Sequence, residues 1–317
     1  STPLLAVDTG GTFTDLVLLV DGTIRTLKVP STPHDPSQAV LDGIREILGE
    51  SQEFALLHGS TVATNALLER RGARVVLVTN EGFEDVIEIG RQDRPQLYAL
   101  VGHRLPPLVD RDDRIGIPGR LGPQGEELSP LDSNRLAELA DNIRERGAES
   151  VTVSLLHSYA NPAHERAVAK AIVEGLGEPG LPVSVSSEIV PEFREYERTS
   201  TTALNAYVAP IMDRYLGRLA EEAGAIRVSI MGSNGGALPI ERARREPVHT
   251  VLSGPAGGVV GALTWARRSG FESVLSFDMG GTSTDVSLCP GRPLRTREFS
   301  IGGQPAAIPV IDIHTVG

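Results

Sequence analysis

The stretch that decides the reading is Asp8-Thr9-Gly10-Gly11-Thr12-Phe13-Thr14-Asp15, because it returns as Asp278-Met279-Gly280-Gly281-Thr282-Ser283-Thr284-Asp285. Laid over one another, the two octets agree at Asp, Gly, Gly, Thr, Thr and Asp. Each follows a strand-like run ending in Ala6-Val7 or Ser276-Phe277 and leads into Leu16-Val17 or Val286-Ser287, which reads as strand, tight turn, strand. A glycine pair lets main-chain N–H groups approach phosphate oxygens with no Cβ in the way. The Thr hydroxyls add donors. An Asp at the end of each leading strand can hold Mg²⁺ through waters, since that ion dehydrates reluctantly. Two such loops facing each other can grip one triphosphate from both sides. Chance likeness of two glycine hairpins would explain the glycines but not the matched Asp and Thr residues. No G-x-x-x-x-G-K-[ST] occurs, and no G-x-G-x-x-G joins a strand to a helix, so the rival nucleotide motifs lack support.

Outward from the first octet, residues 4–8, 13–20 and 23–29 read as three strands, with Asp21-Gly22 as a hairpin turn. Asp35-Pro36 opens a helix to about residue 48. A strand (54–58), a helix (61–71), a strand (74–79) and a helix (83–89) follow, giving the order β-β-β-α-β-α. Residues 92–129, rich in Pro, Gly, Arg and Asp, read as a long insertion with little regular structure. Beyond it come a helix (131–146), a strand (150–157), a helix (163–176) and a strand (182–187). A long helix spans about 192–223, with a break expected at Pro210. Strands at 226–231 and 249–252, a helix at 256–268 and a strand at 273–278 lead into the second octet, whose third strand is expected at 293–301.

Composition narrows the field. At 317 residues the chain has room for about two domains. With 30 basic against 41 acidic residues the net charge is −11, which argues against nucleic acid or an anionic membrane as a partner, since both demand a basic face. The lone Cys289 allows no disulfide within the chain and reads as a buried strand residue. No apolar run reaches membrane-spanning length and the first five residues do not look like a signal peptide, so a cytoplasmic protein is expected.

The segment V-L-S-G-P-A-G-G-V-V-G-A (251–262), followed by S-F-D-M-G-G-T-S-T-D-V-S-L (276–288), resembles the hinge helix and second phosphate loop of actin-like ATPases. More closely, the chain resembles the hydantoinase A/5-oxoprolinase family. The matching stretches include D-T-G-G-T-F-T-D, H-G-S-T-V-A-T-N-A-L-L-E-R-R-G, L-L-H-S-Y-A-N-P-A-H-E and E-I-V-P-E-F-R-E-Y-E-R-T-S-T-T-A-L-N-A-Y, and the likeness runs from Val7 to the end of the chain. The resemblance implies an α/β fold of the actin-like, ribonuclease H-like βββαβα type. Residues 1–190 would form a first half with an insertion at about 92–130, and residues 191–317 an incomplete second half. It implies an ATP- and Mg²⁺-using hydrolase in which ATP phosphorylates the oxygen of a cyclic amide of the 5-oxoproline or hydantoin type, so that water can open the ring. An amide is a poor electrophile, and its phosphorylated form a good one. The alternatives are the ATP-binding subunit of an acetone- or acetophenone-type carboxylase, marked by a bicarbonate requirement, and a non-hydrolytic regulatory switch. A second subunit of the hydantoinase B type is the implied partner, and a homo-oligomer is compatible with the sequence.

Within this frame Asp8 and Asp278 are the Mg²⁺ residues, through water, and Asp15 and Asp285 orient water or the hairpins. Gly10, Gly11, Thr12, Thr14, Gly280, Gly281, Thr282 and Thr284 are the phosphate residues. His58, Thr61 and Asn65, at a strand end and helix start, either cap the helix or face a substrate. Arg91 and Arg94 suit a substrate carboxylate or a solvated loop. Ser253 to Gly258 reads as the hinge helix, where glycines allow close crossing, and less well as a phosphate cradle. Gly232 to Gly236 lines the cleft or forms a plain turn. Glu197 to Thr202, with its β-branched polar residues, packs against a polar cleft.

The family pattern continues beyond D-I-H-T-V-G, whereas these 317 residues stop there, so the adenosine-bearing part of the second half is expected to be missing. Loss of a base pocket costs several kcal/mol, enough to move a micromolar site to millimolar. Calorimetric titration of this chain with Mg·ATP is expected to give weak binding. A low-micromolar constant would overturn that expectation.

Overall fold

The computed structural model describes residues 2–32, 34–49, 53–92, 98, 105–177, 180–279 and 284–316. The chain divides into two compact units, one of Ser1–Ala66, Ile211–Arg297 and Pro309–Gly317, the other of Leu67–Pro210 and Glu298–Ile308. Both octets therefore lie in the first unit.

That unit begins with β1 (Leu4–Thr9), β2 (Phe13–Val20) and β3 (Thr23–Pro30), an antiparallel meander. Alternation decides its faces: Leu5, Val7, Thr9, Thr14, Leu16 and Leu18 are buried, while Asp8 and Asp15 point the other way. Asp21 and Gly22 turn β2 into β3 with both φ angles positive, 47° and 79°. The helix α1 (Pro36–Leu48) starts at Asp35-Pro36 and buries Val40, Leu41, Ile44 and Ile47. Gly43 is needed here, since a Cβ would stand 2.7 Å from a methyl of Leu16. Then β4 (Ala55–Ser60) pairs parallel with β1 and α2 (Val62–Leu68) follows.

The second unit is built on β5 (Val75–Asn80). After the one-turn helix α3 (Val86–Ile89), β6 (Arg114–Ile117) pairs parallel with β5, so a strand lies inside the segment expected to be irregular. Four residues bracketed by Asp, Pro and Gly leave too short a pattern to register in the sequence. A small hairpin, β7 (Arg120–Leu121) with β8 (Glu127–Ser129), precedes α4 (Ser133–Glu145), β9 (Ser150–Val153), α5 (Ala163–Leu176), β10 (Val183–Val185) and α6 (Ser186–Ile189). The order β10-β9-β5-β6 makes an all-parallel sheet, and β5 and β9 are buried along their whole length, as such sheets require. Val76, Val78, Val151 and Val153 meet Leu139, Ile143, Val168 and Ile172 from α4 and α5 in its core.

The helix α7 (Glu195–Glu222) runs unbroken through Pro210, contrary to the expected break. At 28 residues it is about 42 Å long. Its Ser and Thr hydroxyls at 199–202 are all hydrogen-bonded. Ser154 and Thr199 share a 2.8 Å hydrogen bond, Ser200 donates to Pro305 O at 2.7 Å, and Thr201 Oγ1 accepts from Ala307 N at 2.9 Å.

Back in the first unit, β11 (Arg227–Met231) and β12 (Ala237–Pro239) extend the first sheet to the order β12-β11-β4-β1-β2-β3. After α8 (Ile240–Arg245), residues 247–250 form a 3₁₀ turn, with Pro247 at its start, where a strand over 249–252 was expected. The helix α9 (Ser253–Arg268) leads to β13 (Ser273–Met279) and β14 (Thr284–Pro290). Their third partner is not 293–301. The chain first makes β15 (Arg295–Thr296), then β16 (Phe299–Ile301) and β17 (Gln304–Ala306), which belong to the second unit, and β18 (Val310–Ile311); β19 (His314–Val316) then pairs with β14. Cys289 is buried with Ala256, Val259, Leu263 and Ile311 beneath α9. No helix among the described residues is long and apolar enough to cross a membrane.

The face of β13 and β14 away from α9 leaves Leu275, Phe277, Met279 and Leu288 exposed. An apolar face of this kind drives self-association. Replacing Phe277 and Leu288 with Lys is expected to reduce concentration-dependent association in sedimentation velocity; profiles identical to the parent chain would show that this face does not mediate it.

Candidate active site

Both octets fold in one register. Asp8 pairs with Asp15 and Thr9 with Thr14 across β1 and β2, and Asp278 pairs with Asp285 and Met279 with Thr284 across β13 and β14. The repeat seen in sequence is therefore repeated in the register of the strand residues that flank each turn.

In the first hairpin Gly10 N donates to Phe13 O at 3.0 Å and closes the turn. Ser31, just past β3, staples it: its N donates to Thr12 O at 2.9 Å and its hydroxyl to Gly10 O at 2.8 Å. Thr14 is buried and its hydroxyl lies 3.0 Å from that of Ser31, so the structure directs it into the fold rather than toward a ligand. Gly11 and Thr12 are exposed, and a Cβ on Gly11 would meet nothing within 4 Å. Asp15 is exposed and paired with Lys28 at 3.1 Å.

Asp8 lies over Gly59 of β4, its neighbour in register; a Cβ there would stand 3.0 Å from Asp8 Oδ1. On α9, Gly254 and Gly258 fall one turn apart on one face. A Cβ on Gly254 would come 3.6 Å from Asp8 Oδ1, and one on Gly258 3.7 Å from Asp278 Oδ2. The side-chain-free face of one helix thus meets the aspartates of both hairpins. A cavity of about 200 Å³ is lined here by Asp8, Asp15, Gly59, Ser253, Gly254 and Gly258, with apolar walls from β1, β2, β4 and β11. Asp8 is open to it but closely flanked by protein. Desolvation raises its pKa most, and the like charges of Asp15 and Asp278 raise it further.

Asp278 is exposed, and Asp285 accepts a 2.6 Å hydrogen bond from the Thr315 hydroxyl. Thr284 is half-buried at the start of β14. Gly280, Gly281 and Thr282 lie outside the described residues, as does Arg94.

The other candidates are held elsewhere. His58, expected at a site surface, is wholly buried, with Nδ1 3.1 Å from Val7 O and Nε2 2.5 Å from Tyr215 Oη. Burial pushes its pKa down to about 4 and that of Tyr215 up to about 12. Thr61 donates through its hydroxyl to Thr9 O at 3.2 Å and accepts from Asn65 Nδ2 at 3.3 Å, while Ser60 Oγ caps Val62 N at 3.2 Å. These polar groups build the β4–α2 corner. Arg91 belongs to the second unit, where its Nε donates to Glu197 Oε1 at 2.5 Å. Gly232 to Gly236 is a closed turn, with Gly232 N donating to Gly236 O at 2.7 Å. At the start of α9, Ser253 Oγ donates to Ser60 O at 3.1 Å.

Sequence reasoning missed Gly59, Ser31 and Tyr215. Ser31 carried a faint signal, as a hydroxyl one step beyond the strand facing Thr14. Tyr215, deep in a long helix, carried none.

Family models described as "Hydantoinase/oxoprolinase N-terminal region" and "Hydantoinase/oxoprolinase" match residues 4–176 and 198–317. The chain belongs to this family. It is 36% identical to the caprolactamase subunit alpha of Pseudomonas jessenii, over 99% of this chain and 47% of that protein. It is 34% identical to 5-oxoprolinase 1 of Arabidopsis thaliana, over 98% and 27% respectively. Its backbone is similar to that of acetone carboxylase in a nucleotide-free structure, solved in work on ATP-dependent acetone carboxylation. That match has a TM-score of 0.87 at 28% identity and covers 99% of this chain and 48% of the other. The chain spans about half the length of the first curated relatives it matches.

The buried imidazole makes stability depend on pH. Folded His58 stays neutral down to about 4, whereas the unfolded side chain takes a proton near 6.5. Its contribution is therefore present above about pH 6.5 and lost as pH falls toward 4, roughly 3 kcal/mol in all. His58→Gln is expected to flatten the loss of denaturant stability between about pH 7 and 4.5. An equally steep loss in the variant would assign it to other groups.

Proposed function

We propose that this hydantoinase/oxoprolinase family chain is the phosphate-gripping part of an ATP-dependent enzyme that opens a cyclic amide, on an actin-like fold. The observation that carries the reading is the placement of Asp8 and Asp278, equivalent residues of two hairpins in one register, against the glycine face of a single helix. The names of the relatives supply the reaction class, a lactam or oxoproline ring, and ATP dependence is in the description of the structural neighbour.

The residues fit a hydrated Mg²⁺. The donors are all oxygen, and the charges of Asp15 and Asp278 already burden Asp8 in a way a cation would relieve. Among the described residues no three acidic, His or Cys side chains form a metal cage, which suits an ion that keeps most of its waters. Asp8 and Asp278 would hold it, with Gly10, Gly11 and Thr12, and their counterparts Gly280, Gly281 and Thr282, along the phosphates. When bound, ATP supplies the phosphoryl group that activates the amide oxygen. The chain's own part is to fix the phosphates and neutralise their charge, with no covalent nucleophile. A hydantoinase B-type second subunit completes the reaction, and the enzyme works in the cytoplasm. The likeness to acetone carboxylase favours a second reading, a ketone carboxylase subunit, which would require bicarbonate.

ADP release measured with caprolactam, 5-oxoproline, hydantoin, and acetone with or without bicarbonate tests the proposal. A lactam or hydantoin is expected to stimulate release without bicarbonate; stimulation by acetone and bicarbonate alone would select the carboxylase. Asp8→Asn and Asp278→Asn are each expected to lower Mg²⁺-dependent ATP turnover at least tenfold with the fold intact, and unchanged turnover in both would remove their assigned role.

A further inference from the structure

We propose that His58 and Tyr215 are positioning residues for Asp8, holding the main chain of β1 one residue before the carboxylate. The proposal rests on the role given to Asp8 above.

The register of β1 on β4 sets Val7 beside His58 and Asp8 beside Gly59. Alternation sends Val7 and His58 into the core and turns Asp8 to the opposite face, over the side-chain-free Gly59. An imidazole at such a core position needs partners for both nitrogens. A peptide carbonyl only accepts, so Nδ1, 3.1 Å from Val7 O, must carry the proton. That leaves Nε2 as an acceptor, and the Tyr215 O–H, 2.5 Å away, donates to it. The geometry thus selects one neutral tautomer and ties α7 to β1 through the ring.

This chain of bonds ends on a peptide carbonyl, which cannot hand a proton on. It is a strut, not a relay. The carbonyl it grips belongs to the peptide that joins Val7 to Asp8. On either side of the contact the structure limits Asp8 further: Gly59 leaves only enough room for its carboxylate, and Ser60 is bonded to Ser253 at the head of α9, next to Gly254. Three consecutive residues of β4 therefore serve one end: His58 fixes the strand from the core side, Gly59 clears the cavity side, and Ser60 sets the helix that faces Asp8. A displacement of about 1 Å at such a carboxylate can cost up to a hundredfold in rate.

Tyr215→Phe removes the hydroxyl and keeps the ring. In the full-length protein with its second subunit, it is expected to lower kcat for ADP release from Mg·ATP about tenfold while KM for ATP stays within about threefold. Asp8→Asn is run beside it, so that a failure of the Asp8 assignment is seen separately, as unchanged turnover in that variant. Histidine-selective ¹⁵N spectra of the unsubstituted chain are expected to show His58 protonated at Nδ1 only, and its Nδ1–H resonance to move when Mg·ATP is added to saturation. The proposal is overturned by an Nε2–H tautomer, by a resonance that does not move, or by a folded Tyr215→Phe protein with kcat within twofold while Asp8→Asn is impaired. Where Tyr215→Phe does not fold, the spectra decide.

Discussion

Carboxylates repel one another, and this fold turns three of them, Asp8, Asp15 and Asp278, toward the same region of the first unit. Much of the local architecture follows from that constraint. Strand pairing forces Asp15 beside Asp8, because any sequence with Asp at both ends of this tight turn must place them in register. Nothing in the pairing relieves the repulsion. The surroundings instead leave space: glycines at 59, 254 and 258 keep methyl groups away from the acidic oxygens. Lys28 pairs with Asp15, at an exposed position where an ion pair contributes little. A fold that concentrates negative charge and keeps bulk away from it is arranged to receive positive charge from outside.

The division of labour between side chain and main chain is equally plain. At the first hairpin the hydroxyl of Thr14 is spent inside the fold, on Ser31, and Ser31 in turn holds two backbone points of the loop. What the loop exposes is Gly11, Thr12 and the ring of Phe13, with no side chain at Gly11 to shield its backbone. Backbone donors are fixed by the covalent chain and need no rotamer ordering, which suits them to gripping a highly charged group.

How much of this could be read from sequence depended on whether the signal was repeated or solitary. The hairpins were legible because two octets agree at six positions, and the order β-β-β-α-β-α followed from alternation and turn chemistry nearby. Solitary signals misled. Arg114 to Ile117 was lost among turn formers, and β19 was displaced by a detour through β15 to β18 that no local pattern announces. His58 illustrates a different limit. Its neighbours suggested a polar corner, but only the parity of β4 tells which way a side chain faces, and a one-residue change in register would reverse it. Gly254 and Gly258 were legible as a helix built for close approach; that carboxylates are what approaches was not.

The discontinuity of the first unit bears on how the protein is made. Its sheet is complete only when β11 joins β4, and the whole of residues 67–210 is synthesised between those two strands. Contacts so distant in sequence form late. On the ribosome, β1 to β4 must therefore wait with an open edge on β4, while the four strands of the second unit's parallel sheet, all within residues 75–185, can pair before β11 emerges. The acidic hairpin is thus made well before the strand that completes its sheet, and waits for it through the synthesis of residues 67–210.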